Sequence, residues 1–364
     1  MIVLPAIVAH RLGRAYGPDS SRAALDRSLE QHVDGLETDC CLTADRELVL
    51  LHDPLLELGT TLSGWAHERT AAQIRAGRLR QRDGTPSEER PLLLDELLEL
   101  APPGATLQLE VKAHADPTLA RRTTRAICDR LAHHPARART EILSFFNNAC
   151  ELAADRGFRT RLIIIADYRI DALASWAQTA RLHGVCVEHF LLSPALVGTL
   201  RASGLSVSTG TINHPALLAG LLPLGLDAIT SDTPAELRAA SCELRAASCE
   251  RRSPRARRGP CTCRTAVPWR THGNATALGL AAADLRSALP APLPKSASDR
   301  IDARARFPQC SGTNAETRPM IVSPAFRQSF RQSLLGVLVL GSRRDRLPFG
   351  EAEQQARATD SSDG

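Results

Sequence analysis

The sequence lacks the features that define several large classes of protein. Its apolar runs, MIVLPAIVA at the start and LLGVLVLG at 334–341, are too short to span a bilayer. The first run also lacks the charged start and the cleavage site of a signal peptide. There is no P-loop and no dinucleotide-binding glycine fingerprint, and Ser144 has no Gly-x-Ser-x-Gly context. We therefore expect no transmembrane segment, no secretory leader, and no nucleotide-binding or serine-hydrolase site.

Cysteines at metal-binding spacing are also missing. Half of the ten cysteines lie in apolar stretches of the first 240 residues: Cys40, Cys41, Cys128, Cys150 and Cys186. We predict that these are buried free thiols in a reducing compartment, which indicates a cytoplasmic protein. Further along the chain, Cys261, Cys263 and His272 lack a second ligand pair, so we predict no zinc site there.

Charge is unevenly distributed along the chain. Residues 1–240 hold 25 Lys+Arg and 29 Asp+Glu, a net charge of −4, whereas residues 241–364 hold 20 and 11, a net charge of +9. The basic pI therefore describes the second part, and no nucleic-acid partner is required for the protein as a whole. A perfect tandem repeat of ELRAASC at 236–249 leads into Arg-, Ala-, Pro- and Ser-rich sequence. We predict that 241–364 is a largely disordered basic tail, with at most a short helix around 325–340.

Residues 1–240 alternate between two kinds of segment. Short apolar or β-branched runs, typical of buried strands, are mostly followed by Ala-, Leu- and Arg-rich segments with helical spacing. The eight runs are AIVAH (6–10), GLETD (35–39), LQLEVK (107–112), EILSF (141–145), RLIIIA (161–166), GVCVEH (184–189), LSVSTGT (205–211) and DAITSD (227–232). This count and length predict an α/β fold, the (β/α)8 TIM barrel, with a doubly wound sheet as the alternative.

One further strand candidate, ELVLLHD at 47–53, interrupts this alternation. Asp45 and Arg46 separate it from the preceding run, which predicts a hairpin-like excursion. Such a hairpin would return His52 to the edge of the barrel where the preceding strand ends.

Three carboxylates lie near the ends of predicted strands. Glu37 and Asp39 share one face of the second strand, and Glu110 lies near the end of the third. The carboxyl ends of barrel strands form the active-site rim, where these groups would raise one another's pKa unless a cation lay between them. Mg²⁺ and Ca²⁺ prefer oxygen ligands of this kind. We therefore predict a divalent metal site at this rim.

Basic and imidazole side chains are expected at the same rim. Arg11 and Lys112 suit contacts with a phosphate group, which indicates an anionic substrate. His10 and His52 suit the roles of general acid and general base. With a metal ion, these groups indicate cleavage of a phosphate ester.

The motifs, in their order and spacing, resemble those of the glycerophosphodiester phosphodiesterase family. AHRLGRAYGPDSS, GLETDCCLTADRELVLLHD, LQLEVK and DAITSDTP are similar to the family's His-Arg-Gly, Pro-Glu-Asn-Thr, Glu-x-Asp, His-Asp, Glu-x-Lys and Thr-Asp-x-Pro motifs. The resemblance extends over about residues 5–238 and includes the step of 42 positions between His10 and His52. It therefore covers the whole of the predicted barrel.

This resemblance implies a TIM barrel that hydrolyses small-molecule glycerophosphodiesters to glycerol 3-phosphate and an alcohol, in lipid and glycerol metabolism. The family's route begins with attack of the glycerol 2-hydroxyl on phosphorus, and water then opens the cyclic phosphate. The residues that the resemblance assigns are Glu37, Asp39 and Glu110 for Mg²⁺ or Ca²⁺, His10 and His52 for acid/base catalysis, and Arg11 and Lys112 for the phosphate.

Several motifs depart from the family pattern. HRLG has one more residue before its glycine, PDSS stands where the family has Pro-Glu-Asn-Thr, and GTIN at 210–213 lacks the family's tryptophan. None of these changes removes a predicted ligand or histidine. They bear on the choice of substrate more than on the chemistry.

Other functions stay open at this stage. A related phospholipase D-like lyase would cleave lysophospholipids or sphingolipids and release a cyclic phosphate. A non-catalytic barrel would bind phosphorylated polyols, although it would need no pair of histidines. The Arg-rich tail suits RNA or an anionic membrane surface, and it is also typical of read-through sequence.

Overall fold

The computed structural model describes residues 4–166 and 169–252, without the side chains of 245–252. The strands are β1 Ala6–Ala9, β2 Gly35–Leu42, β3 Leu48–Leu50, β4 Thr106–Lys112, β5 Thr140–Ser144, β6 Arg159–Ile164, β7 Gly184–Val187, β8 Ser206–Thr209 and β9 Ala228–Ser231. The α-helices are α1 Arg22–Glu30, α2 Leu56–Gly59, α3 Ala71–Arg75, α4 Leu94–Leu100, α5 Pro117–Leu131, α6 Asn147–Asp155, α7 Ile170–Thr179, α8 Pro194–Ala202, α9 Pro215–Leu221 and α10 Pro234–Arg252. Short 3-10 helices cover His10–Leu12, Ala66–Glu68, Pro135–Arg139, His189–Leu191 and Leu222–Leu224.

Eight parallel strands close into a barrel surrounded by helices. Each strand pairs with its neighbour in the order β1-β9-β8-β7-β6-β5-β4-β2, and β1 also pairs with β2. The closure is visible at Ala9, which pairs with Ser231 on one side and with Leu36 on the other. Each of the eight predicted runs overlaps one of these strands, so the predicted TIM barrel is confirmed.

The predicted hairpin is also present. β3 pairs antiparallel with the second half of β2, with Cys40 opposite Leu50 and Leu42 opposite Leu48. Arg46 in the connecting turn has a φ of 68°, the left-handed conformation that a tight turn requires. β1 pairs only with the first two residues of β2. The second half of β2 is therefore free on this side to pair with β3, beyond the rim of the barrel.

The two faces of β2 have different surroundings. Leu36 and Cys40 are fully buried in the apolar layer between the barrel and its helices. Glu37 and Asp39 alternate with them and point to the opposite face, because successive strand side chains alternate. Both faces are buried, which explains why this strand reads as an almost continuous buried run that contains two charges.

A buried ion pair lies near the amino ends of the strands, away from the predicted rim. Glu141 accepts hydrogen bonds from Arg161 Nε at 2.7 Å and from Gln108 Nε2 at 3.0 Å. Glu141 and Arg161 are each only 3% exposed. Burial opposes the ionised carboxylate, but the hydrogen bond and charge of Arg161 lower the pKa of Glu141 below its usual value.

Glu141→Gln is expected to lower the free energy of unfolding by about 3 kcal/mol, because it leaves Arg161 buried without a counter-charge. Urea denaturation checks this, with Asp155→Asn at the exposed pair with Arg181 as the matched control, expected below about 1 kcal/mol. Since the folded pKa of Glu141 is lowered, its contribution is complete above the unfolded value of about 4.3 and is lost as pH falls through the folded value. Equal losses of unfolding free energy in Glu141→Gln and Asp155→Asn would contradict this account. So would a stability difference between wild type and Glu141→Gln that persists at pH values below the folded pKa of Glu141.

The last described helix crosses the predicted domain boundary. α10 contains the ELRAASC repeat, and its residues Leu237, Ala240 and Leu244 belong to or pack against the apolar core. The boundary at 240 stays a prediction: truncation after Ala240 should leave activity intact, and loss of activity would contradict the boundary. The predicted helix at 325–340, the tail and Cys261, Cys263 and His272 lie outside the described residues.

The five cysteines of the barrel are free thiols. Four of them are buried and Cys186 is partly buried, as predicted. Burial raises the pKa of each thiol, to about 12 for Cys128 and about 11 for Cys186, so they are neutral at physiological pH. None of the helices in the described ranges has the length and apolar character that crossing a membrane requires.

Candidate active site

The residues predicted to carry the chemistry lie at one end of the barrel. They follow β1 and β3 or lie within β2 and β4, where these strands reach the carboxyl side of the barrel: His10, Arg11, Glu37, Asp39, His52, Glu110 and Lys112. Neighbouring strands bring them together because Asp39 pairs with Glu110 in the β2–β4 register. The hairpin returns the chain from β3 to the same rim, where His52 interacts electrostatically with Asp39.

Three carboxylates converge at this rim. Glu37, Asp39 and Glu110 each offer an oxygen, and these oxygens lie within 4.8 Å of one another. Glu37 and Asp39 are 4% and 1% exposed. Asp39 Oδ2 is buried and accepts no hydrogen bond from the described residues. A buried anionic oxygen that accepts no hydrogen bond, beside two further carboxylates, fits a hard divalent cation such as Mg²⁺ or Ca²⁺.

The three carboxylates do not share the same protonation behaviour. Burial raises the pKa of Glu37 well above its usual value, and the charges of Asp39 and Glu110 raise it further. Burial opposes ionisation of Asp39 as well, but Lys112, His52 and Arg11 together lower its pKa below the usual value. The pKa of Glu110 is raised, again chiefly by burial. The ionised form is therefore favoured at Asp39 and disfavoured at Glu37 and Glu110, and a bound divalent cation would favour the ionised form of all three carboxylates.

Two cations border this cluster. Lys112 Nζ lies 3.0 Å from Asp39 Oδ1 and also pairs with Glu110. Arg11 Nε lies 3.8 Å from Asp39 Oδ2, and its backbone N–H donates to Glu37 Oε2 at 2.8 Å. Burial opposes both charges, yet the neighbouring carboxylates raise the pKa of Lys112 and of Arg11. Both side chains are therefore cationic and lie beside the predicted metal ligands.

The chain after β1 takes an unusual turn that places Arg11. Arg11, Leu12 and Gly13 have φ values of 49°, 61° and 105°. A Cβ on Gly13 would lie 2.2 Å from Ser28 Oγ, so only glycine fits there. This turn accommodates the extra residue of the HRLG motif. Asp19 of the PDSS motif pairs with Arg11, so the shorter acid keeps its charge beside the site.

His10 is held by a residue more than 200 positions away in sequence. Its Nδ1 lies 2.7 Å from Asp232 Oδ1, and its Nε2 lies 4.0 Å from Glu37 Oε2. Two hydrogen bonds with Asn213 fix Asp232. Asn213 Nδ2 donates to Asp232 Oδ2 at 2.9 Å, and the backbone N–H of Asp232 donates to Asn213 Oδ1 at 2.8 Å. Burial opposes the ionised Asp232, but its hydrogen bond to His10 lowers its pKa to about 2. Asp232 is therefore ionised and orients the imidazole of His10.

Sequence reasoning assigned no role to Asp232 or Asn213. Asp232 lies in the SDTP segment and Asn213 in the GTIN segment, both of which correspond to family motifs. This correspondence was the one feature of the sequence that pointed to the two residues. The contact of Asp232 with His10 depends on the closure of β9 onto β1, and Asn213 acts on His10 only through Asp232.

Asp232→Asn is expected to lower kcat roughly tenfold or more, because the amide no longer holds His10 in its orientation and protonation form. The substitution leaves the substrate-binding groups in place, so KM should change little. Steady-state kinetics with glycerophosphocholine checks this, with Asp227→Asn at the exposed pair with Arg201 as the control. An unchanged kcat for Asp232→Asn would show that His10 does not depend on this contact.

His52 has a different environment from His10. Its Nδ1 lies 3.2 Å from Asp53 Oδ1 but forms no hydrogen bond with a described residue. Burial and the charges of Arg11 and Lys112 lower the pKa of His52 well below its usual value. The imidazole is therefore neutral at physiological pH and able to accept a proton.

A TIM barrel with acidic, basic and imidazole groups together at its carboxyl rim has the groups that an enzyme cleaving small phosphate diesters requires. The family model described as "Glycerophosphoryl diester phosphodiesterase family" matches residues 10–236 of the chain. The chain therefore belongs to the glycerophosphoryl diester phosphodiesterase family, as its motifs predicted.

Individual relatives agree with this assignment. The glycerophosphodiester phosphodiesterase of Caldanaerobacter subterraneus is 24% identical over 238 residues, which cover 64% of this chain and 95% of the relative. Among solved structures, a glycerophosphodiester phosphodiesterase from Parabacteroides distasonis is similar with a TM-score of 0.55 and 22% identity, covering 67% of this chain and 98% of that one. A phosphodiesterase from Oleispira antarctica, solved with the product sn-glycerol-3-phosphate, has a TM-score of 0.57 and 24% identity over 65% of this chain and 96% of its own. The structural likeness supports the barrel fold.

Proposed function

We propose that the protein hydrolyses glycerophosphodiesters to glycerol 3-phosphate and an alcohol, with a divalent metal ion and a pair of histidines. The observation that carries the proposal is the buried cluster of Glu37, Asp39 and Glu110 beside Lys112 and Arg11. Family membership supports the substrate class, and the product in the Oleispira antarctica structure supports glycerol 3-phosphate as the product here. Such a reaction would give the protein a role in lipid and glycerol metabolism.

The three carboxylates are the proposed ligands of Mg²⁺ or Ca²⁺. When bound, the ion supplies positive charge to the phosphate oxygens and to the charge that develops during cleavage. It would also offset the burial and the mutual repulsion that raise the pKa of Glu37 and of Glu110.

Arg11 and Lys112 are the proposed contacts of the phosphate. Both carry their charge at the rim, and both already border the carboxylate cluster. A guanidinium and an ammonium on one side of the site would hold the anionic diester against it. Arg11 is also kept in place by Asp19, which limits its movement.

His10 and His52 would transfer the protons. One imidazole removes the proton of the glycerol 2-hydroxyl while that oxygen attacks phosphorus. The bond from phosphorus to the alcohol oxygen breaks, and the other imidazole donates a proton to that oxygen. Water then opens the cyclic phosphate with the two roles reversed, so that both histidines return to their starting states.

The product distribution tests this proposal. Phosphorus NMR of a reaction with glycerophosphocholine should show glycerol 3-phosphate accumulating, with any cyclic phosphate consumed. A cyclic phosphate that persists, formed from lysophosphatidylcholine in preference to glycerophosphocholine, would instead establish a phospholipase D-like lyase. Binding of glycerol 3-phosphate without turnover of either compound would establish a phosphopolyol-binding barrel.

A cytoplasmic location is part of the same proposal. The five free thiols of the barrel support it, because secreted proteins rarely keep so many unpaired cysteines. Localisation of the full chain, tagged at its C-terminus, in its native cells would test this, and recovery from the extracellular fraction would contradict it.

A further inference from the structure

A groove outside the catalytic centre has three arginines among its six lining residues. It runs along the first nine residues of α5 beside the start of α6, has a volume of about 400 Å³, and is lined by Pro117, Thr118, Arg121, Arg122, Arg125 and Asn148. Asn148 Nδ2 donates a hydrogen bond of 3.2 Å to the carbonyl oxygen of Pro117, which joins the two walls. No carboxylate lines this groove. Arg121, Arg122 and Arg125 are called the groove arginines below.

The groove arginines lack the partners that other arginines on this surface have. Arg130, at the far end of α5, donates to Glu47 at 2.8 Å, and Arg181 lies 3.0 Å from Asp155. Throughout the described ranges 4–166 and 169–252, no carboxylate pairs with a groove arginine. Three uncompensated charges within five residues repel one another, and an anion in the groove would relieve that repulsion.

The size and chemistry of the groove define the anion. A volume of about 400 Å³ suits a small molecule, whereas a nucleic-acid strand requires a longer track. Guanidinium groups match the oxygens of a phosphate group in pairs, and the hydroxyl of Thr118 adds a further donor. The barrel region of 1–240 has a net charge of −4, so the cationic groove is a local feature and does not reflect the overall charge.

The groove lies at the catalytic end of the barrel. α5 begins at Pro117, five residues after Lys112, and α6 begins shortly after β5 ends at Ser144. Both helices therefore start on the side where the strands deliver the candidate active-site residues. A ligand released from that site would leave the barrel on the same side as the groove.

We propose that the groove arginines form a second anion site, which binds phosphate monoesters such as glycerol 3-phosphate. This inference rests on the proposed function, because the monoester is the product of that reaction. A phosphate monoester carries nearly two negative charges at pH 7, whereas the diester substrate carries one. Three guanidinium groups therefore favour the product over the substrate, and the groove binds product outside the catalytic centre.

Calorimetric titration of the full-length, metal-loaded protein with glycerol 3-phosphate tests the second site. Wild type is expected to bind one more molecule of glycerol 3-phosphate per chain than the triple variant R121Q/R122Q/R125Q. Alternatively, both proteins bind this second molecule, and wild type binds it roughly tenfold more tightly. The control R22Q/R27Q/R181Q removes the same charge from arginines that have carboxylate partners, and it should match wild type. Identical titrations for wild type and the groove variant, or equal losses in both variants, would overturn the proposal.

Two further arms separate the outcomes. Vesicles containing phosphatidic acid present the same monoester on a lipid. If free glycerol 3-phosphate and these vesicles both bind in a way that depends on the groove arginines, the site accepts the lipid headgroup as well; dependence with vesicles alone would overturn the product site and indicate a lipid ligand. Turnover of glycerophosphocholine should be the same in all three proteins at low product concentration. If the protein binds glycerol 3-phosphate at the groove but does not turn over glycerophosphocholine, the proposed function alone is refuted. If it turns over glycerophosphocholine normally but binds no glycerol 3-phosphate at the groove, the groove site alone is refuted.

Discussion

His52→Ala is expected to lower kcat for glycerophosphocholine by roughly 100- to 10,000-fold, the range usual for loss of a general acid or base. The imidazole is buried at the rim, and Arg11 and Lys112 hold its pKa well below the ordinary value. It is therefore available as a neutral proton acceptor, and alanine leaves no group in its place. His10→Ala should have an effect of similar size, because in the proposed mechanism one imidazole accepts a proton while the other donates one.

The control for this prediction is His133→Ala. His133 is exposed, follows α5, and lies away from the rim residues in the chain. Its substitution should leave kcat unchanged. Retention of more than about a tenth of wild-type kcat in both His52→Ala and His10→Ala would show that neither imidazole transfers a proton in the limiting step.

Asp39→Asn is expected to weaken divalent-metal binding by roughly a hundredfold or more, since it replaces the carboxylate that is most firmly ionised in the cluster. The amide has nearly the same shape, so the loss reports charge and not size. Lys112 and Arg11 would lose their main counter-charge as well, and this should also weaken the hold on the phosphate. Calorimetric titration with Mg²⁺ and with Ca²⁺ measures the change directly.

Asp26→Asn serves as the matched control for the metal prediction. Asp26 forms an exposed pair with Arg22 on α1, away from the rim, and its replacement should not alter metal affinity. If Asp39→Asn bound the ion as tightly as wild type and Asp26→Asn, then the acidic cluster would not be the metal site.

The strands and the hairpin could be predicted because their signals are local. LQLEVK and RLIIIA are apolar or β-branched over a strand's length, and the helices between such runs show the 3.6-residue spacing of a buried face. The period of two also placed Glu37 and Asp39 on one face of β2, and the structure shows both pointing away from the apolar layer that contains Leu36. Patterns of neighbouring residues were sufficient for these features.

Contacts across the closed barrel could not be predicted in the same way. The hydrogen bond between His10 and Asp232 joins residues 222 positions apart, and it depends on β9 pairing with β1. Lys112 was predicted only as a phosphate contact, yet it pairs with Asp39 because β4 lies beside β2. Such contacts depend on register and closure, which no short stretch of sequence encodes by itself.

The most direct test of the central claim is hydrolysis of glycerophosphocholine by the metal-stripped full-length protein, before and after addition of Mg²⁺ or Ca²⁺. The carboxylate cluster and the histidine pair predict no release of glycerol 3-phosphate without metal and restored release with one of the two ions. The same addition to His52→Ala should restore metal binding but not turnover. Full activity in the stripped protein, or equal activity in wild type and His52→Ala after metal is restored, would contradict the account.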